Sequence, residues 1–269
     1  MRTVLLSFDL EEFDMPLEYG KSLSFADQIR TSVEGSRIIL DILKENKICA
    51  TFFSTVVFAT HAPDIVRRII DEGHELASHG YFHSAFEDKH LVESKVELER
   101  LSGRAIEGFR MARMKPVSDQ AIQEAGYLYN SSLNPVYLPG RYNNFFKPRT
   151  RFVTDKLVQL PASATPIIRF PLFWLSFHNL PLWLYKAACV RTMNKDGYLN
   201  TYFHPWEFTD LKNPAYGLPA FVTKNSGEEM SRRFLALLGW MKGKDYSFST
   251  IRNFLSAGDN LDSANAGDE

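Results

Sequence analysis

The 269-residue sequence predicts an α/β fold built on a parallel sheet or barrel. Short apolar segments that suit single strands alternate with longer amphipathic segments that suit helices, an order typical of strand–helix–strand units. Charged residues and histidines directly follow several of the predicted strands, at the strand ends where such folds collect their functional groups. The length fits one large domain, because α/β barrels often form single units of about 250 residues.

The first half of the chain supplies four predicted strands, each followed by a predicted helix. Residues 3–8 are mostly apolar, as expected of a strand buried on both faces. Ser32 is predicted to cap the first helix, Pro63 to lie in the first turn of the second, and Gly73 to end the second. The predicted strands cover residues 3–8, 50–53, 75–78 and 108–111, and the predicted helices cover residues 32–46, 63–72, 91–101 and 118–124.

The second half is less regular, and a long loop rich in Pro, Gly, Asn and aromatic residues is predicted at residues 135–150. Further strands are predicted at residues 129–132, 158–161, 198–204 and 246–248, and an amphipathic helix at residues 228–242. Residues 1–255 are expected to form a single domain. Residues 256–269 are small, polar and acidic, and are expected to form a flexible tail.

Composition argues against several classes of protein. The formal net charge is −1, with acidic and basic residues mixed along the chain, so no nucleic-acid partner is expected. The two cysteines, Cys49 and Cys189, form no disulfide framework, which favours a reduced, cytoplasmic protein. The apolar run after Arg2 is too short for a signal peptide, and no run reaches the roughly 18 apolar residues of a membrane-spanning helix.

Two histidines, His79 and His83, follow the predicted strand at residues 75–78 and are four positions apart. On one helical turn, or at a tight bend after a strand, both imidazoles can reach one ion at about 2.0–2.1 Å. Imidazole ligands suit zinc, cobalt or nickel, and a third protein ligand with an open position for water would make the site catalytic. The same spacing also arises by chance, with one histidine on the surface and one in the core, so its weight depends on context.

Four stretches of the chain, in the same order, resemble the polysaccharide deacetylases, the proteins with NodB homology that are also called carbohydrate esterase family four. They are Ser7-Phe8-Asp9-Leu10-Glu11, the segment at residues 73–83, Gly108-Phe109-Arg110, and Tyr202-Phe203-His204-Pro205-Trp206-Glu207. The resemblance covers roughly residues 3–255. It implies a distorted (β/α)7 barrel, which agrees with the alternation of strands and helices.

The resemblance also implies roles for individual residues. Two histidines and a carboxylate would bind a divalent metal, in the first place zinc, with cobalt or nickel as alternatives. An arginine would hold the catalytic aspartate, and a third histidine would be the general acid. The expected metal ligands are Glu11, His79 and His83, the catalytic residues are Asp9, Arg110 and His204, and the substrate-binding residues are Trp206 and Tyr81.

The chain departs from the family pattern at three points. The two carboxylates, Asp9 and Glu11, are separated by one residue, which strand alternation places on one face. Arg110 lacks the proline that usually lies two positions after it. Asn130 stands where the family often has an aspartate that tunes the catalytic histidine, and a neutral amide cannot raise the pKa of His204 by charge.

These features predict a metal-dependent hydrolase that removes an N-acyl group, in the first place acetyl, from an amino sugar in a polysaccharide or its lipid-linked or nucleotide-linked precursor. Two alternatives remain open. The first is hydrolysis of another non-peptide C–N bond, in a formamide or a cyclic amide. The second is an inactive carbohydrate-binding barrel, although the retention of all six expected metal-binding and catalytic residues argues against it.

The segment at residues 167–193 is crowded with apolar and aromatic side chains, Trp174 and Trp183 among them, and it carries basic residues but no acid. One interpretation is that it forms barrel core and a covering helix. The other is peripheral contact with the inner face of a membrane, with aromatic and basic side chains at the lipid headgroups. If the segment contacts a membrane in this way, a lipid-linked sugar would be a suitable substrate.

Overall fold

The computed structural model describes residues 2–265, with side chains described for residues 2–258. Its centre is a nine-stranded, mainly parallel sheet, and a separate two-stranded hairpin lies beside it. The strands are β1 (Thr3–Leu10), β2 (Thr51–Ser54), β3 (Glu75–Ser78), β4 (Gly108–Phe109), β5 (Tyr129–Asn130), β6 (Tyr137–Leu138), β7 (Tyr142–Asn143), β8 (Phe152–Thr154), β9 (Leu157–Gln159), β10 (Tyr198–Phe203) and β11 (Ser247–Ser249).

The strands of the main sheet lie in the order β10, β1, β2, β3, β4, β5, β9 and β8, and β11 pairs with the start of β1. Neighbours are parallel except β8 and β9, which are antiparallel. β10 pairs with most of β1 on one side, while β11 and then β2 pair with it on the other. The predicted parallel α/β architecture is therefore confirmed, as a sheet curled into an open barrel.

Eleven α-helices accompany the sheet in the described part of the chain, and three short 3₁₀ turns occur at Ala112–Met114, Pro205–Phe208 and Pro214–Tyr216. No helix of this part is long and apolar enough to cross a membrane. The helices are α1 (Met15–Glu18), α2 (Phe25–Asn46), α3 (Val56–His61), α4 (Pro63–Asp71), α5 (Lys89–Ser102), α6 (Asp119–Glu124), α7 (Trp174–Asn179), α8 (Leu182–Asp196), α9 (Ala220–Thr223), α10 (Glu228–Lys242) and α11 (Ile251–Asn265).

Helix α2 begins earlier than the sequence predicts. Ser24 is its cap, and the Ser24 side chain accepts a hydrogen bond from the backbone N–H of Asp27. Ser32, the predicted cap, lies inside the helix and is buried. The prediction missed the first turns because residues 25–31 are mainly polar and carry only a weak apolar stripe, while the capping serine lies before them.

A glycine in α2 fixes the distance between that helix and the turn after β10. A Cβ atom at Gly35 would lie only 1.8 Å from the backbone oxygen of Pro205. Only glycine allows this approach, so α2 packs directly on the backbone of the turn Pro205–Phe208, which follows His204.

Three predictions for the less regular regions need correction or extension. The predicted loop at residues 135–150 contains the hairpin of β6 and β7. The aromatic segment at residues 167–193 forms α7 and most of α8. Helix α11 covers residues 256–265 of the predicted flexible tail, and residues 266–269 lie outside the described part, so the flexibility of the tail stays a prediction.

Candidate active site

The acidic residues at the end of β1 face one cavity. Asp9 and Glu11 are two positions apart, so the alternation of an extended chain places both on the same side. Both side chains are buried, and both line a cavity of about 290 Å³ at the carboxyl ends of the strands. The separated pair of carboxylates therefore contributes to a single site, as the sequence predicts.

The two histidines after β3 approach Glu11 from the same side. Gly80, with φ +85°, bends the chain directly after His79. His79 Nδ1 lies 2.9 Å from the backbone oxygen of Arg110, which can only accept a hydrogen bond, so Nδ1 carries the proton and Nε2 keeps its lone pair. His79 Nε2 is 3.3 Å and His83 Nε2 is 2.9 Å from Glu11 Oε2.

These three groups fit a divalent metal ion. One ligand atom from each of Glu11, His79 and His83 lies within 4.8 Å of the other two. His79 Nε2 is buried and has no hydrogen-bond partner among the described residues, which is costly for a buried nitrogen unless another group occupies that side. Two imidazoles and one carboxylate form the donor set of several catalytic zinc sites, in which a fourth position stays open.

The second nitrogen of His83 faces a carboxylate that the sequence did not single out. His83 Nδ1 lies 2.9 Å from Asp14 Oδ1, and Asp14 Oδ2 accepts a hydrogen bond of 2.8 Å from Arg113. Arg113 also pairs with Glu18, which lies 3.6 Å from Arg141 near the surface. An outer carboxylate of this kind fixes the orientation of a ligand imidazole.

Asp9 is braced by a fully buried arginine. Arg110 Nη1 donates a 2.6 Å hydrogen bond to Asp9 Oδ1, and its other nitrogens donate to the backbone oxygen and hydroxyl of Ser131 at 3.2 and 3.1 Å. The other carboxylate oxygen, Asp9 Oδ2, lies 4.0 Å from Nε2 of both His79 and His204. Asp9 thus presents one oxygen to the cavity while the other is held.

On the opposite wall, His204 is held by the carboxylate of Glu207. The turn Pro205–Phe208 brings Glu207 back, so that its Oε1 accepts hydrogen bonds from the backbone N–H of His204 at 2.5 Å and from His204 Nδ1 at 2.9 Å. His204 Nε2 therefore faces the cavity, 4.0 Å from Glu11 Oε1. Glu207 is fully buried, and its Oε2 accepts a 2.9 Å hydrogen bond from His178.

Position 130 does not supply the partner of His204, although the family often has an aspartate there for that purpose. Asn130 Nδ2 donates to Gln159 at 3.0 Å, and Asn130 Oδ1 accepts the backbone N–H of Ser132 at 3.1 Å. The carboxylate that contacts His204 belongs to Glu207 instead. The neutral amide therefore does not leave His204 without an anionic partner.

Two tryptophans enclose the imidazole of His204. Trp206 stacks on it with ring centroids 4.6 Å apart, and Trp206 Nε1 donates a 3.1 Å hydrogen bond to Glu11. Trp206 is buried and lines the cavity, so it supports the predicted metal ligand as well as forming the wall. Trp174, which the sequence placed in core or at a membrane, meets His204 edge-on at 5.4 Å and also lines the cavity.

Opposite charges within the site shift several pKa values. Burial raises the pKa of Glu11, but the charges of His83 and His204 outweigh burial, and the pKa lies well below its ordinary value. Burial lowers the pKa of His83, but Glu11 and Asp14 together raise it to about 10. The pKa of His204 is raised as well, because Glu11 and Glu207 outweigh the effect of burial. His83 is therefore a cation at neutral pH when no metal is bound, and the protonated form of His204 is favoured.

Six of the eight predicted site residues line the cavity, and a seventh, Arg110, lies directly behind Asp9. Tyr81 is the exception and needs correction. Its ring packs on Phe82 at 4.7 Å and on His90 at 5.9 Å, and it does not line the cavity. The positive φ of Gly80 turns the chain between His79 and Tyr81, which separates the two side chains.

Apolar and aromatic side chains form much of the remaining wall. They come from or directly flank α1, the turn Ala112–Met114, the hairpin of β6 and β7, α7, β10 and α9, so six separate elements converge on the cavity. These residues are Met15, Tyr19, Met114, Leu138, Pro139, Tyr142, Phe173, Trp174, Leu175, Tyr202, Phe221 and Val222. The cavity therefore combines a charged floor with apolar walls, a combination common in small-molecule sites.

Parts of the chain are similar to known deacetylases. The model of the family described as polysaccharide deacetylase matches residues 18–124, which include His79, His83 and Arg110. The peptidoglycan-N-acetylmuramic acid deacetylase PdaA of Bacillus subtilis is 31% identical over 64 residues, 24% of this chain and 24% of that protein. The chain thus matches about a quarter of the length of its curated relatives.

Solved structures support the fold over nearly the whole chain. Puue allantoinase superposes with a TM-score of 0.60 at 18% identity, covering 93% of this chain and 88% of that one. The Bc1960 peptidoglycan N-acetylglucosamine deacetylase superposes with a TM-score of 0.52 at 17% identity, covering 93% and 86%. The predicted distorted (β/α)7 barrel is confirmed as the fold.

Proposed function

We propose that this chain, which belongs to the polysaccharide deacetylase family, is a metal-dependent hydrolase that removes the N-acetyl group of an amino sugar. The sugar would belong to a polysaccharide or to its lipid-linked or nucleotide-linked precursor. The observation that carries the proposal is the meeting of three groups in one cavity: the cluster of Glu11, His79 and His83, the braced Asp9, and the carboxylate-held His204.

The metal would be held by Glu11, His79 and His83, and zinc suits this donor set best, with cobalt or nickel as alternatives. When bound, such an ion polarises the acyl carbonyl and lowers the pKa of a water molecule toward about 7. The protein prepares the ligands in advance. His79 presents Nε2 to the cavity because its Nδ1–H donates a hydrogen bond to the backbone oxygen of Arg110, and Asp14 Oδ1 lies 2.9 Å from His83 Nδ1, where a carboxylate can orient the ring.

Asp9 would act as the general base. Its Oδ1 is occupied by Arg110, and its Oδ2 faces the cavity within 4.0 Å of both His79 Nε2 and His204 Nε2. The hydrogen bond from Arg110 orients the carboxylate, so that Asp9 Oδ2 is placed to accept the proton of the attacking water. Because Arg110 is itself held by Ser131, Asp9 keeps one orientation during the reaction.

His204 would act as the general acid. Its Nδ1 proton is held by Glu207, so the proton on Nε2 is the one directed at the substrate. Its raised pKa favours the protonated imidazole, which is the state needed to protonate the departing amine. Trp206 and Trp174 cover the ring and leave only its edge toward the cavity.

We also propose that the protein is cytoplasmic and that the segment at residues 167–193 contacts the inner face of a membrane. In the segment at residues 167–193, Ile167, Ile168 and Trp183 expose 78%, 72% and 70% of their surface, whereas Trp174 packs against His204. Trp183 is therefore the tryptophan available to lipid. We expect flotation with anionic liposomes to decrease in Trp183→Ser but not in Leu235→Ser, an exposed apolar site on α10. Equal flotation of both variants and the wild type would remove the proposed contact.

The first test is to measure bound metal and acetate release. Wild-type protein is expected to bind about one zinc, cobalt or nickel ion per chain by elemental mass spectrometry, and His79→Ala is expected to lose it. Acetate release from N-acetylated oligosaccharides should require the metal and stop in Asp9→Asn, which retains the three metal ligands. His61→Ala, a change at an exposed histidine outside the cavity, should match the wild type in both measurements.

The same assay separates the alternatives. Release of formate from N-formyl sugars, or opening of a cyclic amide, with no acetate from any N-acetyl sugar would replace deacetylation by another C–N hydrolysis. Failure of the wild type to bind metal, even after zinc is added back, would contradict the proposed mechanism. Saccharide binding without turnover, unchanged in Asp9→Asn, would favour the inactive binding barrel.

A further inference from the structure

A second cavity adjoins the active-site cavity. Its volume is about 230 Å³, and Met114 lines both cavities, so the two share a wall. The other residues around the second cavity come from the segment before α6, from α6, β5, β8 and β9, and from the loop that includes the hairpin. They are Lys115, Pro116, Val117, Asp119, Asn130, Ser132, Leu133, Asn144, Lys147, Phe152 and Gln159.

The shared wall is held in a restricted backbone conformation. Arg113 and Met114 have φ values of 59° and 52°, in the left-handed region that non-glycine residues seldom adopt. Such a residue costs roughly 1–3 kcal/mol and persists only where its surroundings hold it. Here the Arg113 side chain is anchored by Asp14, on the active-site side. Met114 is thus fixed at the boundary between the cavities.

Gln159, which lines the second cavity, carries an unused hydrogen-bond donor. Gln159 is only 3% exposed, and its Oε1 accepts a 3.0 Å hydrogen bond from Asn130. Its Nε2 is buried and has no partner within residues 2–258. Leaving such a group unpaired costs about 1–3 kcal/mol, so this donor points to an acceptor on a ligand.

The charges around the second cavity favour an anion. Lys115 and Lys147 are exposed at its edge, and neither forms an ion pair with another described residue. Asp119 is the one acidic residue of the lining, against two lysines. Phe152 and Val117 add apolar surface, as a sugar ring requires beside its polar groups.

We propose that the second cavity binds a neighbouring unit of the same saccharide and that this unit carries a carboxylate or phosphate group. Gln159 and the two lysines would recognise the anionic unit while the N-acetyl sugar lies over Asp9 and the metal ligands. The assignment of the first cavity rests on the proposed function, whereas the preference of the second cavity for an anion does not.

The test compares charged and neutral probes without turnover. Calorimetry on metal-loaded Asp9→Asn protein would measure the affinity for a hyaluronan tetrasaccharide, in which glucuronic acid alternates with N-acetylglucosamine, and for neutral chitotetraose. Glucuronic acid and glucose 6-phosphate, each compared with glucose, distinguish a carboxylate from a phosphate. One charge-assisted contact corresponds to about a tenfold preference for the charged probe.

Variants localise the effect. In the same background, Gln159→Glu keeps the acceptor for Asn130 but replaces the free donor by a negative charge, and the preference for an anion is expected to disappear. Lys115→Gln with Lys147→Gln should reduce it about tenfold, whereas the equal charge change Lys195→Gln with Lys244→Gln, outside both cavities, should alter it less than twofold.

The outcomes are separable from those of the proposed function. An anion preference that depends on Gln159 supports the inference even if no acetate is released from any substrate. If no charged probe binds more tightly than its neutral counterpart, or if the control variant loses as much affinity as the two cavity variants, the inference is wrong, and a measured deacetylase activity would still stand.

Discussion

Two histidines on opposite walls of the cavity, His83 and His204, each face a carboxylate with Nδ1, but the two carboxylates are anchored differently. Asp14, beside His83, is held by Arg113, whose side chain is 24% exposed. Glu207, beside His204, is fully buried, and it is held by His178 and by the backbone of His204 itself. One carboxylate belongs to a chain of charges that reaches the surface, and the other is enclosed.

This difference suits the two proposed tasks. A metal ligand must lose its proton when the ion binds, so His83 needs a partner that orients the ring but that solvent can also screen. A general acid must recover its proton in every cycle, so His204 needs a carboxylate whose influence is strong because no water reaches it. We therefore expect changes on the His204 side to affect turnover, and changes on the His83 side to affect metal affinity.

The largest effect is expected from Glu207→Gln. The amide fills the same space but removes one of the charges that, together with Glu11, raise the pKa of His204, so kcat should fall by about 10²- to 10⁴-fold with metal content unchanged. Because the pKa of His204 falls, the alkaline limb of the pH–rate profile should move to lower pH. Glu228→Gln, at an exposed position at the start of α10, is the matched control. A lower rate with an unshifted pH profile would indicate a purely structural role for Glu207.

The next largest effect is the pH dependence of metal affinity. The pKa of His83 is about 10 without metal, so below that pH the ion must displace a proton, and the apparent affinity should rise by at most about tenfold per pH unit. The same raised pKa stabilises the metal-free fold below pH 6.5, a contribution lost as the pH rises toward 10. Competition with a chelator between pH 6 and 8 measures the slope, and calorimetry in buffers of different ionisation enthalpy counts the protons. A flat dependence would mean that His83 is not a ligand.

A smaller effect is expected from Asp14→Asn. The amide still fills the space beside His83, but it loses the charge that orients the imidazole, so metal affinity should fall by about 10- to 100-fold. At saturating metal kcat should stay close to that of the wild type, because His204 and Glu207 are untouched. Glu45→Gln, on the exposed side of α2, serves as the control. A loss of kcat that excess metal does not restore would break the distinction between the two walls.

Local patterns in the sequence predicted the residues that lie at strand ends. Asp9, Glu11 and His79 follow from apolar strands that end in polar residues, and their family order added Arg110 and His204. The partners of the histidines were harder to predict because they depend on turns. Glu207 was visible in the His-Pro-Trp-Glu stretch, but only the 3₁₀ turn that folds it back shows that it contacts the imidazole.

Two other side chains show the same limit. Asp14 is in the acidic cluster after β1, yet its approach to His83 requires that chain segments 69 residues apart in sequence meet. Trp174 is one of many aromatic residues in its segment, and nothing in their spacing distinguishes the one beside His204 from the exposed Trp183. Sequence patterns therefore could not predict where some helices start, how the turns fold back, or which distant segments come into contact.

The smallest effect is expected one step further from the metal, at Arg113. Arg113→Met keeps a non-glycine residue at the same positive φ, so the backbone cost is unchanged, but it removes the hydrogen bond to Asp14. A partly exposed ion pair contributes about 0.2–1 kcal/mol, which corresponds to at most about fivefold in metal affinity. High salt should reduce the difference between Arg113→Met and the wild type, because it screens this pair in the wild type. If Arg113→Met instead weakened metal binding as much as Asp14→Asn, the chain of charges would act as one buried unit, and the contrast with Glu207 would be lost.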